Sequence, residues 1–186
     1  MELTNQHNQS IGVDLTTRTL QTIEYPHHEI HDGNAYFLTY ADTIGDAGTI
    51  EIRFQTSNTT KWPHMLFSVS STGETDVDLY EVTPKTHVAA NLLTPINRDR
   101  NKGMNSEMTF CHTPGGGGDG NLLGEFLYGL DTGTGSKTVK FGGSENIRAE
   151  LILRQNTAYL LRVTSGTNGN RMTIIFDWYE HRNKVL

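Results

Sequence analysis

Thr49-Ile-Glu-Ile-Arg-Phe-Gln55 decides the fold class. In an extended chain Ile50, Ile52 and Phe54 point one way while Glu51, Arg53 and Gln55 point the other, a period of two that defines a strand with one wet face. The same alternation recurs on both sides of this stretch. In Arg171 to Glu180, residues Met172, Ile174, Phe176 and Trp178 share a face, and in Asp76 to Val82 residues Val77 and Leu79 alternate with Asp76, Asp78 and Tyr80. Ala35 to Tyr40 lies between the turn-rich segments His31-Asp-Gly-Asn34 and Ile44-Gly-Asp-Ala-Gly48. Turn residues close the runs: Ser71-Thr-Gly-Glu-Thr75 suits a hairpin between Pro63–Ser70 and Asp76–Val82. Gln155-Asn156 reads as the turn of a hairpin joining Ile147–Arg154 to Thr157–Thr164, and Ser165 to Asn170 as the turn of another leading into Arg171–Glu180.

Composition agrees with many short strands. The chain has 186 residues, the length of one domain, with 35 % hydrophobic residues, 19 glycines and 25 threonines. Such a chain is rich in turn and β-branched residues and poor in helix formers. Eight to ten evenly spaced strands predict an all-β fold, an antiparallel β-sandwich of jelly-roll-like form. Residues 1–22 are polar and weakly patterned and read as an extended N-terminal arm, leaving a single sandwich domain over 23–186. A long glycine-rich insertion falls near 113–146, with Pro114 to Asn121 expected to be a mobile loop.

Charge narrows the partners. The net charge of −6 repels a phosphate backbone, and the densest basic stretch, Arg98-Asp99-Arg100-Asn101-Lys102, is broken by an aspartate. Nucleic acid is not expected as a partner. The longest apolar runs span four to six residues, against roughly 20 for a membrane helix, so no membrane partner is expected. MELTNQHNQS carries no secretory pattern, so synthesis in a cytoplasm is expected. The single cysteine, Cys111, faces opposite Phe110 in a strand and reads as a buried structural residue.

His27-His-Glu-Ile-His31 is the most metal-like cluster in the sequence. If the segment is extended, His27, Glu29 and His31 share a face with two imidazoles and a carboxylate, a set that suits zinc or iron. Ligands about 6.6 Å apart along one strand are poorly placed for one ion, so no metal and no cofactor is expected. Gly133-Thr-Gly-Ser-Lys-Thr138 lacks the glycine immediately before the lysine that a phosphate-binding loop requires. The carboxylate pairs Asp76/Asp78 and Asp177/Glu180 do not by themselves form the facing pair that glycoside hydrolysis needs. No Gly-x-Ser-x-Gly elbow exists. Trp62, Trp178 and Tyr179 are expected to pack in the core or in a subunit interface, the other use of such residues being a stacking surface for sugars.

Five segments in order, His28-Glu-Ile-His-Asp-Gly-Asn-Ala-Tyr-Phe37, Asn58-Thr-Thr-Lys-Trp-Pro-His64, Leu93-Thr-Pro-Ile-Asn-Arg-Asp-Arg-Asn101, Glu150-Leu-Ile-Leu-Arg-Gln-Asn-Thr-Ala-Tyr159 and Phe176-Asp-Trp-Tyr-Glu-His181, carry a resemblance. Across roughly residues 23–182 the chain resembles the capsid auxiliary, or decoration, proteins of tailed bacteriophages. The stretch Met104 to Ser144 and residues 1–22 lie outside the match. The resemblance implies a virion structural protein without enzymatic activity that binds the outside of the shell, with the major capsid protein as partner. A homotrimer on three-fold positions is expected with it. The alternative within a virion is a domain that binds carbohydrate or a host receptor, with a surface glycan as ligand.

Overall fold

The computed structural model describes residues 25–128, 137–141 and 150–182. The arm expected over 1–22, residues 129–136 and 142–146 of the expected insertion, and the start of the strand expected from residue 147 lie outside the described residues. The elements in chain order are helix α1 (Tyr25–Asp32) and strands β1 (Ala35–Ile44), β2 (Thr49–Gln55), β3 (Lys61–Ser71) and β4 (Thr75–Glu81). A 3-10 turn at Ala89–Asn91 precedes β5 (Leu92–Leu93), β6 (Ile96–Asn97), β7 (Thr109–His112) and β8 (Asn121–Tyr128). Strands β9 (Lys137–Phe141), β10 (Leu151–Ile152), β11 (Ala158–Ser165) and β12 (Asn170–Arg182) complete the set.

The segment expected to be extended around His27 to His31 is helical instead. Pro26 stands in the first turn, where a missing N–H costs no intrahelical bond. Gly33, at φ +78°, ends the helix: its N–H bonds the Ile30 carbonyl at 3.0 Å and the Asn34 N–H bonds the Glu29 carbonyl at 2.9 Å. This paired closure needs a left-handed residue, which glycine adopts without strain. The turn signal His31-Asp-Gly-Asn34 is therefore a helix stop.

Two antiparallel sheets form the sandwich. The first has the order β10-β3-β12-β1-β6, with β9 also paired to β3, and the second has the order β5-β7-β2-β11-β4-β8. The order β1-β12-β3 followed by β9 and β10, facing β2-β11-β4-β8, is the connectivity of a jelly roll. Successive strands mostly alternate between sheets, which corrects the three expected hairpins. Ser71 to Thr75 carries the chain from β3 in one sheet to β4 in the other, Gln155-Asn156 carries it from β10 to β11, and the Ser165–Asn170 turn from β11 to β12. A turn-rich sequence marks where the chain reverses; the partner strand is chosen by packing with residues far away. Thus β12 pairs with β1 from Ala35↔Tyr179 to Ile44↔Asn170 and with β3 from Ser71↔Met172 to Lys61↔Arg182.

The alternation read from the sequence sets the core. Ile50, Ile52 and Phe54 from β2, Val77 and Leu79 from β4, and Met172, Ile174, Phe176 and Trp178 from β12 are all buried and pack together. Phe176 meets the faces of Phe54 and Phe110 edge-on, each with ring centroids 5.4 Å apart, so one aromatic triad joins the sheets. Phe54 stacks on Tyr159 at 5.3 Å, and Trp178 lies 4.9 Å from Phe110 and 5.8 Å from Tyr36.

Polar side chains seal the two ends of the sandwich. At one end Asn170 is buried between two crossings. Its Oδ1 accepts from the Thr72 N–H at 3.1 Å and the Gly73 N–H at 2.9 Å, while its Nδ2 donates to the Glu74 carbonyl at 2.9 Å and to the Thr75 and Ser165 hydroxyls at 3.1 Å each. At the other end the buried Glu180 accepts from the Ser106 hydroxyl, the Glu107 N–H and the Trp178 indole N–H. The Glu107 side chain turns outward, accepts from the Ser57 and Thr59 hydroxyls and lies 3.2 Å from Lys61 Nζ. Burial pushes the Glu107 carboxyl up, but these donors and the Lys61 charge outweigh it and hold the group below the ordinary glutamate range. Burial, with the Glu180 and Glu107 charges, pushes the Tyr36 phenol up to about 12.

Replacing Asn170 with alanine strands several buried groups at once and is expected to lower stability by about 2–4 kcal/mol in urea unfolding, with the m-value unchanged. Glu107 has a lower pKa folded than unfolded, so its contribution is present above the ordinary glutamate pKa and is lost as pH falls through the folded value. The stability gap between wild type and Glu107→Gln should be widest near neutral pH and should close toward pH 3, measured by urea midpoints across that range.

Candidate functional site

The helix separates the three residues that an extended segment would align. His27 and His31, four residues apart, meet on the exposed side with their Nε2 atoms 2.9 Å apart. Glu29 points into the molecule, is buried, and accepts from Asn34 Nδ2 at 3.0 Å. The His27, Glu29, His31 set is therefore not one ligand set. The ligand atoms that do converge within 4.8 Å on α1 are those of His28, Glu29 and Asp32, which include the His28–Asp32 pair at 3.3 Å.

The outer face of the second sheet is roofed by its own chain. Residues 82–92 and the loop 113–120 cross it, and the loop expected to be mobile is tied down on several sides. Gly115 N–H bonds the Thr86 carbonyl at 2.9 Å, and the Thr83 hydroxyl bonds the Gly118 carbonyl at 3.2 Å. Gly120, at φ +105°, brings its Cα so near β4 that an added Cβ would lie 2.5 Å from the Glu81 carbonyl oxygen. Arg162 grips the loop through both oxygens of Asp119 and also reaches Glu51 Oε1 at 2.7 Å, and Lys85 Nζ meets Glu51 Oε2 at 3.0 Å. The Asp119 carboxylate, against the opposing effect of burial, raises the Arg162 pKa, and Arg162 in turn holds the Asp119 carboxyl low. Beneath this roof Cys111 is fully buried, its Sγ 3.3 Å from the Val88 N–H, as the strand pattern implied. Burial and the neighbouring Arg53 charge lower the His87 pKa.

The outer face of the first sheet is different. Phe37 and Thr39 of β1, Leu66 and Ser68 of β3, and Thr173 and Ile175 of β12 lie side by side there, half-buried or exposed. Asp177 on this face is paired with Arg98, whose guanidinium also lies 5.8 Å from the centre of the Phe37 ring. Glu180, on the opposite face, is buried, so Asp177 and Glu180 do not face each other. Asp78 accepts from the Tyr80 hydroxyl on the outer side of β4. Of the three aromatics singled out above, Trp178 is in the core, Tyr179 is buried, and Trp62 is 38 % exposed.

Next to Trp62, strands β3 and β12 and the residue just before β10 bring together a polar cluster. His64 Nδ1 lies 2.8 Å from Glu150 Oε1, the Tyr179 hydroxyl donates to the same oxygen at 2.9 Å, and His181 Nε2 lies 2.7 Å from His64 Nε2. No local spacing announces this group, because its members are spread from residue 64 to residue 181. The one signal is that His64, Glu150 and His181 each sit at an end of a segment carrying the resemblance described above.

Three exposed apolar side chains lie on β8, the last strand of the second sheet. Leu122, Leu123 and Leu127 are 53, 51 and 68 % exposed. Among the described residues only β4 pairs with β8, which leaves its other edge open. No helix is long and apolar enough to cross a membrane among the described residues. Comparison with known proteins returns no matching family model, no matching curated protein and no matching solved structure.

Arg162→Met removes the grip on Asp119 while leaving the core intact. Hydrogen exchange at the Gly115 amide is expected to accelerate by at least tenfold, with the exchange of β11 and β12 core amides unchanged.

Proposed function

We propose that this chain is a structural protein of a tailed-phage virion that binds the outside of the capsid and stabilises it, as a homotrimer seated on the major capsid protein. The observation that carries the reading is the β8 edge: an eight-residue strand with three exposed leucines and one row of backbone groups that no strand pairs with among the described residues. Such an edge pairs with another chain unless something covers it, and an isolated soluble domain gains nothing by displaying it. The sheet face of Phe37, Leu66 and Ile175 adds a broad surface of small and apolar side chains, suited to the many modest contacts that a repeating shell multiplies. The order of the five resemblance segments points to the same class. Chemistry is not part of this role, and its location is the capsid surface.

The reading is tested on the full chain. Light scattering should give three chains of 20.7 kDa, about 62 kDa. The double variant Leu123→Glu, Leu127→Glu should give a folded monomer that no longer occupies undecorated shells in electron micrographs, and deletion of residues 1–20 should abolish occupancy while leaving the domain folded. A wild-type monomer with no affinity for shells overturns the proposal. The exposed Trp62 favours a second reading, a glycan- or receptor-binding virion domain, which a glycan array positive at micromolar concentration would promote in its place.

A further inference from the structure

We propose that residues 82–92 form a proton-operated strap: when His87 takes up a proton beside the buried guanidinium of Arg53, the strap lifts off the outer face of the second sheet and uncovers Cys111. The placement of Arg53 and His87 carries the inference. Arg53 points outward from β2 yet is only 8 % exposed, with the strap lying over it. Its Nε donates to the Lys85 carbonyl at 2.6 Å and its Nη2 to Gln55 Oε1 at 2.8 Å, while Nη1 is buried with no hydrogen-bond partner among the described residues. His87 stands on the strap. Its Nε2 lies 3.0 Å from the Thr109 hydroxyl on β7, and its Nδ1 is buried, likewise with no partner among the described residues. A neutral ring with its proton on Nε2 tolerates this, since Nδ1 then holds only an unused lone pair. In an imidazolium both nitrogens are donors. The Nδ1 proton would be buried without an acceptor, and a second positive charge would stand beside Arg53.

The other polar groups around the ring are already engaged. From β7 it meets the Thr109 hydroxyl, and next to it on the strap the Val88 N–H lies 3.3 Å from the Cys111 sulfur. Lys85, also on the strap, turns its Nζ to Glu51 at 3.0 Å, and Glu51 is shared with Arg162. Glu107, two residues before Thr109, is held by Ser57, Thr59 and Lys61. Burial, and after it the Arg53 charge, therefore keep His87 below the ordinary histidine range. The open strap binds the proton more tightly than the closed one. As pH falls through the ordinary histidine value, each unit favours opening by up to about tenfold, until the lower value of the closed form is reached. The strap is also lightly held. None of residues 84–91 is buried, so it adds no side chain to the core, and segments of this kind open at far less cost than the whole domain. Val82, where the strap leaves β4, sits at φ +59°, a strained left-handed conformation for a β-branched residue, and lifting the strap releases it. The loop 113–120 stays in place, because Arg162 grips Asp119 and keeps that carboxyl low, so this fastening persists where histidine titrates.

Cys111, the single cysteine and fully buried, reports the opening. The rate of its reaction with 4,4′-dithiodipyridine is measured on the full chain from about pH 7.5 to about pH 5 and divided by the rate for the urea-unfolded chain at the same pH, which removes the intrinsic pH dependence of the thiol. That ratio should rise by at least about threefold as pH falls through the ordinary histidine value, with hydrogen exchange of the β11 and β12 core amides unchanged. H87Q, neutral at every pH, should give a flat ratio. Nitrogen-15 spectra of the wild-type imidazoles read the trigger without any substitution: His87 should titrate below the ordinary histidine value, and the rise in thiol exposure should level off where it does. A flat wild-type ratio, a rise that H87Q retains, or a rise accompanied by faster exchange in the β11 and β12 core overturns the inference. So does a His87 that titrates at or above the ordinary value, whether or not H87Q folds.

Discussion

The edge-on contact of Phe176 with Phe54 and Phe110 is the constraint from which the rest of the molecule follows. It joins the central strand of one sheet to two adjacent strands of the other. It therefore fixes which face of β12 looks inward. Once Phe176 points in, so do Met172, Ile174 and Trp178, while Thr173, Ile175, Asp177, Tyr179 and His181 take the outer side. A slip of one residue would turn the whole apolar set into water. The truncation Phe176→Ala would thus remove both core volume and the cue that sets register, a loss of the 3–5 kcal/mol class for buried aromatics.

The strand faces were legible in the sequence because a period of two is a local property: Ile50, Ile52 and Phe54 show it within seven residues. Strand partners were not. Ser71-Thr-Gly-Glu-Thr75 has the composition of a hairpin loop, yet it crosses between sheets, held by Asn170 almost a hundred residues away. Helix α1 was hidden for a related reason. It is eight residues long with four histidine or acidic side chains among its exposed or half-exposed positions, so its apolar stripe is too short to show, and its clearest mark, Gly33, doubles as a turn residue. The glycines at 115–118 suggested a free loop because the sequence does not disclose Arg162 waiting above Asp119. The His64, Glu150, Tyr179 and His181 cluster was the least legible of all, since β3, β12 and the segment leading into β10 must be in register before its members touch.

The two outer faces divide the labour of a low-apolar chain. With 35 % hydrophobic residues, the core is one layer of interdigitated side chains between two sheets, and the ends of that layer are sealed by amide and carboxylate hubs instead of by more hydrocarbon. One outer face is roofed by the chain's own 82–92 and 113–120 segments and fastened by the Glu51, Lys85, Arg162 and Asp119 charges. The other keeps Phe37, Leu66 and Ile175 near the surface. That asymmetry gives the molecule one side closed by its own chain and one side left open.

Pairing of β12 with both β1 and β3 has a further consequence for how the chain is made. Residues 35–44 and 61–71 emerge from a ribosome long before residues 170–182, yet those two strands have no direct hydrogen bond to each other and are joined only through the last one. The first sheet is therefore divided until translation nears residue 182. During that interval the apolar faces of β1 and β3 have no common partner, and long-range pairing of this kind is slow even for a complete chain. Synthesis, more than the finished fold, is the stage at which this protein is most exposed to aggregation.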